Sequence, residues 1–179
     1  MKVVNGIIDQ AQWLPSPNFG ERPQTDISLL VVHNISLPPG QYGGGYVQQF
    51  FRNGLSPDEH PYFAEIANLQ VSSHLFIERS GKLVQFVNLN DRAWHAGISA
   101  FEGRENCNDY SIGIELEGCD HEAYTEAQYR VLADVTQALM LAYPDITPER
   151  IVGHEHIAPG RKTDPGPAFN WSAFKKDIA

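Results

Sequence analysis

The sequence predicts an α/β fold, a mixed central β-sheet flanked by helices, in one domain spanning residues 1–179. Three observations carry this. Branched apolar runs at 28–35 (SLLVVHNI) and 150–154 (RIVGH) read as buried strands that empty into loops. Residues 74–87 (HLFIERSGKLVQFV) read as two extended runs joined at Ser80 and Gly81, an antiparallel hairpin with a two-residue connection. A capped amphipathic segment from Thr125 reads as a helix that packs on the sheet.

Taken in order, the first strand runs into the breaker LPPGQYGGG, and YVQQFFRNG after it is a short helix closed by Asn53 and Gly54, where a left-handed cap is favoured. SPDEHPYF reads as a polar loop. In SIGIELEG, residues 111–118, Ile112, Ile114 and Leu116 share one parity while Glu115 and Glu117 share the other, so a strand here points both carboxylates the same way. Without further information such an acidic pair is the solvated face of an edge strand, and Glu117 keeps that reading.

In the helix from Thr125, Gln128 completes a capping box, Leu132, Val135, Leu139 and Ala142 recur at helical spacing, and Pro144 lies just past the end. EHIAPGRKTDPGP is irregular. NWSAFKKDIA makes a terminal helix with Asn170 as its cap.

Composition narrows the function. A chain 42% hydrophobic supports a sizeable core, and a net charge of −9, from 22 acidic against 13 basic residues, excludes a phosphate-tracking surface, so no nucleic-acid partner is expected. No apolar run approaches the length of a membrane span, and the N-terminal residues lack the apolar stretch of an export signal. A monomer in the cytoplasm is expected, with Cys107 and Cys119 as free thiols.

His33 and His154 each stand at the end of a predicted strand, and adjacent strand ends can bring their imidazoles together. Ten residues after His154 comes Asp164, in a segment whose prolines and glycines can turn the chain back. Two imidazoles and a carboxylate leave zinc a fourth, open position. Seven histidines also allow other triples.

LLVVHNISLPPG, HPYF, VSSHLFI, RAWHAG, CNDYSIGIELEG and GHEHIAPGRKTDPGP, in this order and over nearly the whole chain, resemble the AmpD-type 1,6-anhydro-N-acetylmuramyl-L-alanine amidases of the amidase and peptidoglycan-recognition superfamily. The resemblance implies Zn2+ held by His33, His154 and Asp164 at strand ends, Glu115 as general base and Lys162 as a cation opposing charge on the carbonyl oxygen. The implied reaction cuts the amide between (1,6-anhydro)-N-acetylmuramic acid and L-alanine of a small muropeptide, in cell-wall recycling.

Asn34, Tyr62, His74, Trp94 and His95 are the expected substrate contacts, with Trp94 as an apolar wall and His95 as a polar tip for the saccharide. For His74 a hydrogen-bonded core histidine is an equal account, and for Tyr62 a packed loop aromatic. Family members often carry arginines where this chain has Gln70 and Asn106, which weakens the expected grip on an acidic distal peptide unless Arg79, Arg92 or Arg104 compensates. The alternative from another class is a non-catalytic muropeptide-recognition module.

Overall fold

A computed structural model describes residues 1–179. Its centre is a six-stranded mixed sheet. The strands are, in chain order, β1 (Val3–Val4), β2 (Ile7–Ile8), β3 (Gln12–Trp13), β4 (Phe19–Gly20), β5 (Leu29–Ile35), β6 (Leu75–Ile77), β7 (Leu83–Gln85), β8 (Arg92–Ala93), β9 (Ala100–Phe101), β10 (Arg104–Glu105), β11 (Ser111–Glu117) and β12 (Ile151–Gly153). The central sheet has the order β12-β5-β11-β6-β7-β3, while β1–β2, β4–β8 and β9–β10 form separate two-stranded ribbons. The helices are α1 (Tyr46–Phe51), α2 (Pro61–Ile66), α3 (Glu126–Ala142), α4 (His154–Ile157) and α5 (Trp171–Asp177).

The neighbours β12, β5, β11 and β6 run parallel, and both faces of β5 and β11 are covered, which is why β5 begins as an unbroken apolar run, whereas β11 alternates apolar residues with Ser111, Gly113, Glu115 and Glu117. Leu30 and Val32 of β5 and Ile112, Ile114 and Leu116 of β11 share a core with Leu132, Val135 and Leu139 of α3 and Phe174 of α5. The opposite parity faces other partners. Leu29 and Val31 pack with Cys107, Tyr110 and Ile157, and Phe76 and Val84 pack with Phe50 and Phe51 of α1 and Phe63 of α2. His33 and Glu115 belong to this second parity.

The α3 capping box is present, with the Gln128 N–H donating to Thr125 Oγ1 at 3.1 Å and the Thr125 N–H donating to Gln128 Oε1 at 3.0 Å. Asn170 caps α5 by accepting from the Ala173 N–H, and Asn53 takes a left-handed φ of 58° after α1. Both cysteines are free thiols.

Five expectations need correction. The strand β12 does not empty into a loop, because His154–Ile157 form the short helix α4 directly after Gly153, and only the segment beyond it is irregular. HPYF is not loop: Pro61 opens α2 and His60 caps it, Nδ1 accepting from the Tyr62 N–H at 3.1 Å. The β6–β7 connection is longer than two residues, because the Glu78 N–H still donates to the Lys82 carbonyl and Gly81, at φ 85°, closes the turn. Ala142 is exposed, and Met140 and Tyr143 pack at the end of α3 in its place. Glu117 is buried rather than solvated, because its carboxylate accepts from the Gly43 N–H at 2.6 Å and the Arg79 N–H at 2.9 Å, joining the 36–45 loop to the hairpin turn.

Candidate active site

Parallel pairing sets the geometry. β12 aligns Gly153 with Val32, so the next residue, His154, arrives beside His33. β11 aligns Glu115 with His33. The chain from 158 to 166 then returns Asp164 to the same point, its carbonyl accepting from the Glu155 N–H at 3.0 Å.

At that point three donor atoms converge. His33 Nδ1 lies 3.0 Å from His154 Nδ1 and 3.1 Å from Asp164 Oδ2, and His154 Nδ1 lies 3.0 Å from the same oxygen. Of the groups of three or more histidine, cysteine and acidic residues whose donors could share one ion, this is the only one. Ligands about 2.0–2.1 Å from a tetrahedral zinc sit roughly 3.3 Å apart, so the trio is close to the spacing such an ion requires. Two imidazoles and one carboxylate also suit zinc chemically and leave a position open.

The electrostatics match that use. Burial, partly offset by the Asp164 contact, pushes His33 down to about 4, so it is the neutral, ligating form that occupies the site at neutral pH. Burial works against ionisation of Asp164, but its hydrogen-bond contacts with His154 and His33 outweigh it and hold the carboxyl well below the usual range. Glu115, 8% exposed, is held well above the usual carboxylate range by burial and then by the negative charge of Asp164, with Lys162 acting in the opposite direction. Its Oε2 is buried with no hydrogen-bond partner, the kind of orphaned atom that marks a site built for a reactant or ion.

Around this centre lies a cleft of about 570 Å³, a size suited to a small-molecule ligand. His33, His154, Asp164, Glu115, Lys162, Asn34, Tyr62, Trp94 and His95 all line it. One wall is apolar, formed by Leu37, Phe50, Tyr62, Ile66, Leu69 and Trp94. Lys162 is exposed at the rim and is the only lysine or arginine in the lining.

The expected substrate contacts divide. Tyr62 on α2 and Trp94 after β8 face the cleft. Asn34 is committed through Nδ2 to Asp120 (2.8 Å), the Tyr124 hydroxyl (3.0 Å) and the Pro165 carbonyl (3.2 Å), while its Oδ1 makes no hydrogen bond within the chain. His74 does not reach the cleft. It is fully buried, its Nδ1 accepting from the Gly113 N–H and its Nε2 lying 3.0 Å from the Asp91 carbonyl, as a core histidine does. His95 does not offer a free polar tip, because Nδ1 is 2.9 Å from His33 Nε2 and Nε2 is 3.2 Å from Ser111 Oγ.

The three arginines expected to compensate for Gln70 and Asn106 are all taken up elsewhere. Arg79 pairs with Glu122, Arg92 with Asp109 and Arg104 with Asp26, each an internal carboxylate. The α1 and α2 residues of the apolar wall, and the Ala96 carbonyl 3.0 Å from His154 Nε2, carry no signal in the local sequence, since each acquires its place only through long-range packing.

Comparison with known proteins agrees with this geometry. Residues 23–167 match the family described as N-acetylmuramoyl-L-alanine amidase. The 1,6-anhydro-N-acetylmuramyl-L-alanine amidase AmpD of Haemophilus influenzae is 52% identical over 177 residues, covering 98% of this chain and 96% of that protein. Its namesake in Escherichia coli is 54% identical over 176 residues, 98% of this chain and 96% of that protein. A crystal structure of a selenomethionine AmpD derivative superposes with a TM-score of 0.97 at 52% identity, covering 100% of both chains. The E. coli amidase AmiD, solved with anhydro-N-acetylmuramic acid-L-Ala-D-γ-Glu-L-Lys as its substrate, superposes with a TM-score of 0.63 at 30% identity, over 84% of this chain and 57% of AmiD. With a family match across most of its length and more than half of its residues shared with AmpD proteins end to end, the chain belongs to the N-acetylmuramoyl-L-alanine amidases, within their AmpD-type branch.

Proposed function

We propose that the chain is a zinc-dependent amidase, acting in the cytoplasm, that hydrolyses the bond between 1,6-anhydro-N-acetylmuramic acid and the L-alanine of a small recycled muropeptide. The observation that carries this reading is the convergence of His33 Nδ1, His154 Nδ1 and Asp164 Oδ2 beside the partnerless Glu115 Oε2. The activities named for the AmpD relatives and for AmiD with its anhydromuramyl peptide support the substrate class. No helix is long and apolar enough to cross a membrane.

His33, His154 and Asp164 would hold the zinc. When bound there, zinc supplies a Lewis acid that polarises a carbonyl and acidifies water toward a pKa of about 7. Glu115, set beside the ligands by strand register, takes a proton from the attacking water and returns it to the departing alanine nitrogen. Lys162 at the rim stabilises the negative charge that develops on the carbonyl oxygen. Trp94, Tyr62 and the apolar wall exclude water and seat the saccharide and peptide, and Asn34 Oδ1 is left to accept a hydrogen bond from the substrate.

The test is to incubate the protein with anhydro-N-acetylmuramyl-tripeptide, with and without chelator followed by zinc, and to read free peptide and sugar by mass spectrometry. Release abolished by chelator, restored by zinc and absent in His154→Ala is the expected result. No release by zinc-loaded protein, with either the anhydro or a reducing muropeptide, overturns the proposal and leaves a muropeptide-binding module in its place.

A further inference from the structure

Behind the three donor atoms lies an arrangement that the reaction itself does not use. The ring nitrogen of each histidine that faces away from the donor cluster meets one of two consecutive residues: His33 Nε2 is 2.9 Å from His95 Nδ1, and His154 Nε2 is 3.0 Å from the Ala96 carbonyl. The segment carrying both partners is held by one side chain, since Asn108 Oδ1 accepts from the His95 N–H at 3.0 Å and the Ala96 N–H at 2.8 Å.

The far side of the His95 ring is also engaged, with Nε2 3.2 Å from Ser111 Oγ. The sheet makes room for it. A side chain at Gly113 would place its Cβ 2.6 Å from His95 Cγ, so the strand that carries Glu115 is glycine where the ring lies against it. The His33 and His95 rings meet edge to face, with centroids 5.0 Å apart and planes at 86°.

A histidine that ligates through Nδ1 must carry its proton on Nε2, and the acceptor beyond Nε2 sets that tautomer and the ring's direction. For His154 the acceptor is a carbonyl and admits one answer. For His33 it is an imidazole, which accepts at Nδ1 only if its own proton sits on Nε2, and Ser111 Oγ is placed to receive that proton.

We infer that His95 is a positioning residue of the metal centre, fixing His33 in the Nε2–H tautomer and aiming its Nδ1 at the ion, with Ser111 fixing His95 in turn. The inference rests on the zinc reading proposed above. It replaces the role of His95 as a saccharide contact with one exerted through His33.

Loss of such an outer partner lowers metal affinity by about 10–100-fold. The experiment measures zinc affinity by competition with a chromophoric chelator for the parent, His154→Ala, His95→Leu and His95→Asn, with the thermal midpoint of each metal-free protein alongside. His95→Leu fills the space without an acceptor and should lose about 10–100-fold, whereas His95→Asn, whose Oδ1 falls near the position of Nδ1, should stay within about 3-fold of the parent. The parent, loaded with zinc and labelled with 15N at histidine, should show His33 and His95 both protonated at Nε2 and bare at Nδ1.

A parent that takes up no zinc overturns the zinc reading and this inference together. A parent that binds zinc while His95→Leu binds as tightly, or while His95→Asn is as weak as His95→Leu, overturns this inference alone. So does a proton on His95 Nδ1 in the zinc-loaded parent, a reading that stands even where a variant fails to fold.

Discussion

Glu115 stands directly opposite His33 in the parallel ladder between β5 and β11, so a carboxylate and an imidazole from strands about eighty residues apart share one face of the sheet by register alone. Parity then separates them from Val32, Ile114 and Leu116, which turn to the core that α3 covers. The candidate site is in this sense a local exception to the burial of apolar side chains along the two longest strands of the sheet.

Replacing Glu115 by glutamine keeps the shape and removes the proton acceptor. Glu115→Gln should lower kcat by about 10²–10⁴-fold while zinc affinity stays near that of the parent, checked by steady-state kinetics and chelator competition. An unchanged kcat removes Glu115 from the mechanism.

Zinc that binds the folded chain alone must stabilise it. At a free concentration about 100 times its dissociation constant the gain is about 2.7 kcal/mol, seen as a raised thermal midpoint that chelator reverses. His154→Ala should show no such response to zinc, because it removes one of three donors.

His74 gives a pH dependence that the metal-free protein can report. Burial first, then the charge of Arg22, pushes it down to about 3, below the ordinary histidine value near 6.5 in an unfolded chain. Its folded pKa is depressed, so between those values the unfolded chain binds one more proton. The stabilising contribution is complete above about 6.5 and falls by about 1.4 kcal/mol per unit as pH drops toward 3. Urea unfolding between pH 4 and 6 should therefore show a slope that is shallower by that amount in His74→Gln than in the parent, whatever the absolute stability of the variant.

Glu117 holds the 36–45 loop by accepting from the Gly43 N–H and the Arg79 N–H, and that loop contributes Leu37, Pro39 and Gly40 to the cleft. Glu117→Ala leaves two backbone donors without partners and should cost about 1–3 kcal/mol in denaturant unfolding. Because the loop shapes the cleft without touching the donor cluster, KM should rise several-fold with a smaller change in kcat.

The sequence by itself determined the elements whose signals are local. The branched runs of β5 and β12, the alternation in β11, the Thr125–Gln128 capping box and the Asn170 cap each depend on residues within a few positions of one another, and each is present in the fold. It also singled out His33, His154 and Asp164, since two strand ends and a proline-rich return are visible as patterns, and longer motifs tied them to a family. Only the tertiary structure decided what those patterns face. The alternation of β11 separates Glu115 and Glu117 from the apolar residues, but whether a carboxylate is solvated, strapped to a loop or left partnerless beside two imidazoles depends on which distant segment covers it. The same holds for His74 and His95, two histidines that look alike in sequence. One is closed into the core by the Gly113 amide, and the other is turned onto His33 by Ser111 and by the space at Gly113, because packing and register, acting across tens of residues, assign each ring its partners.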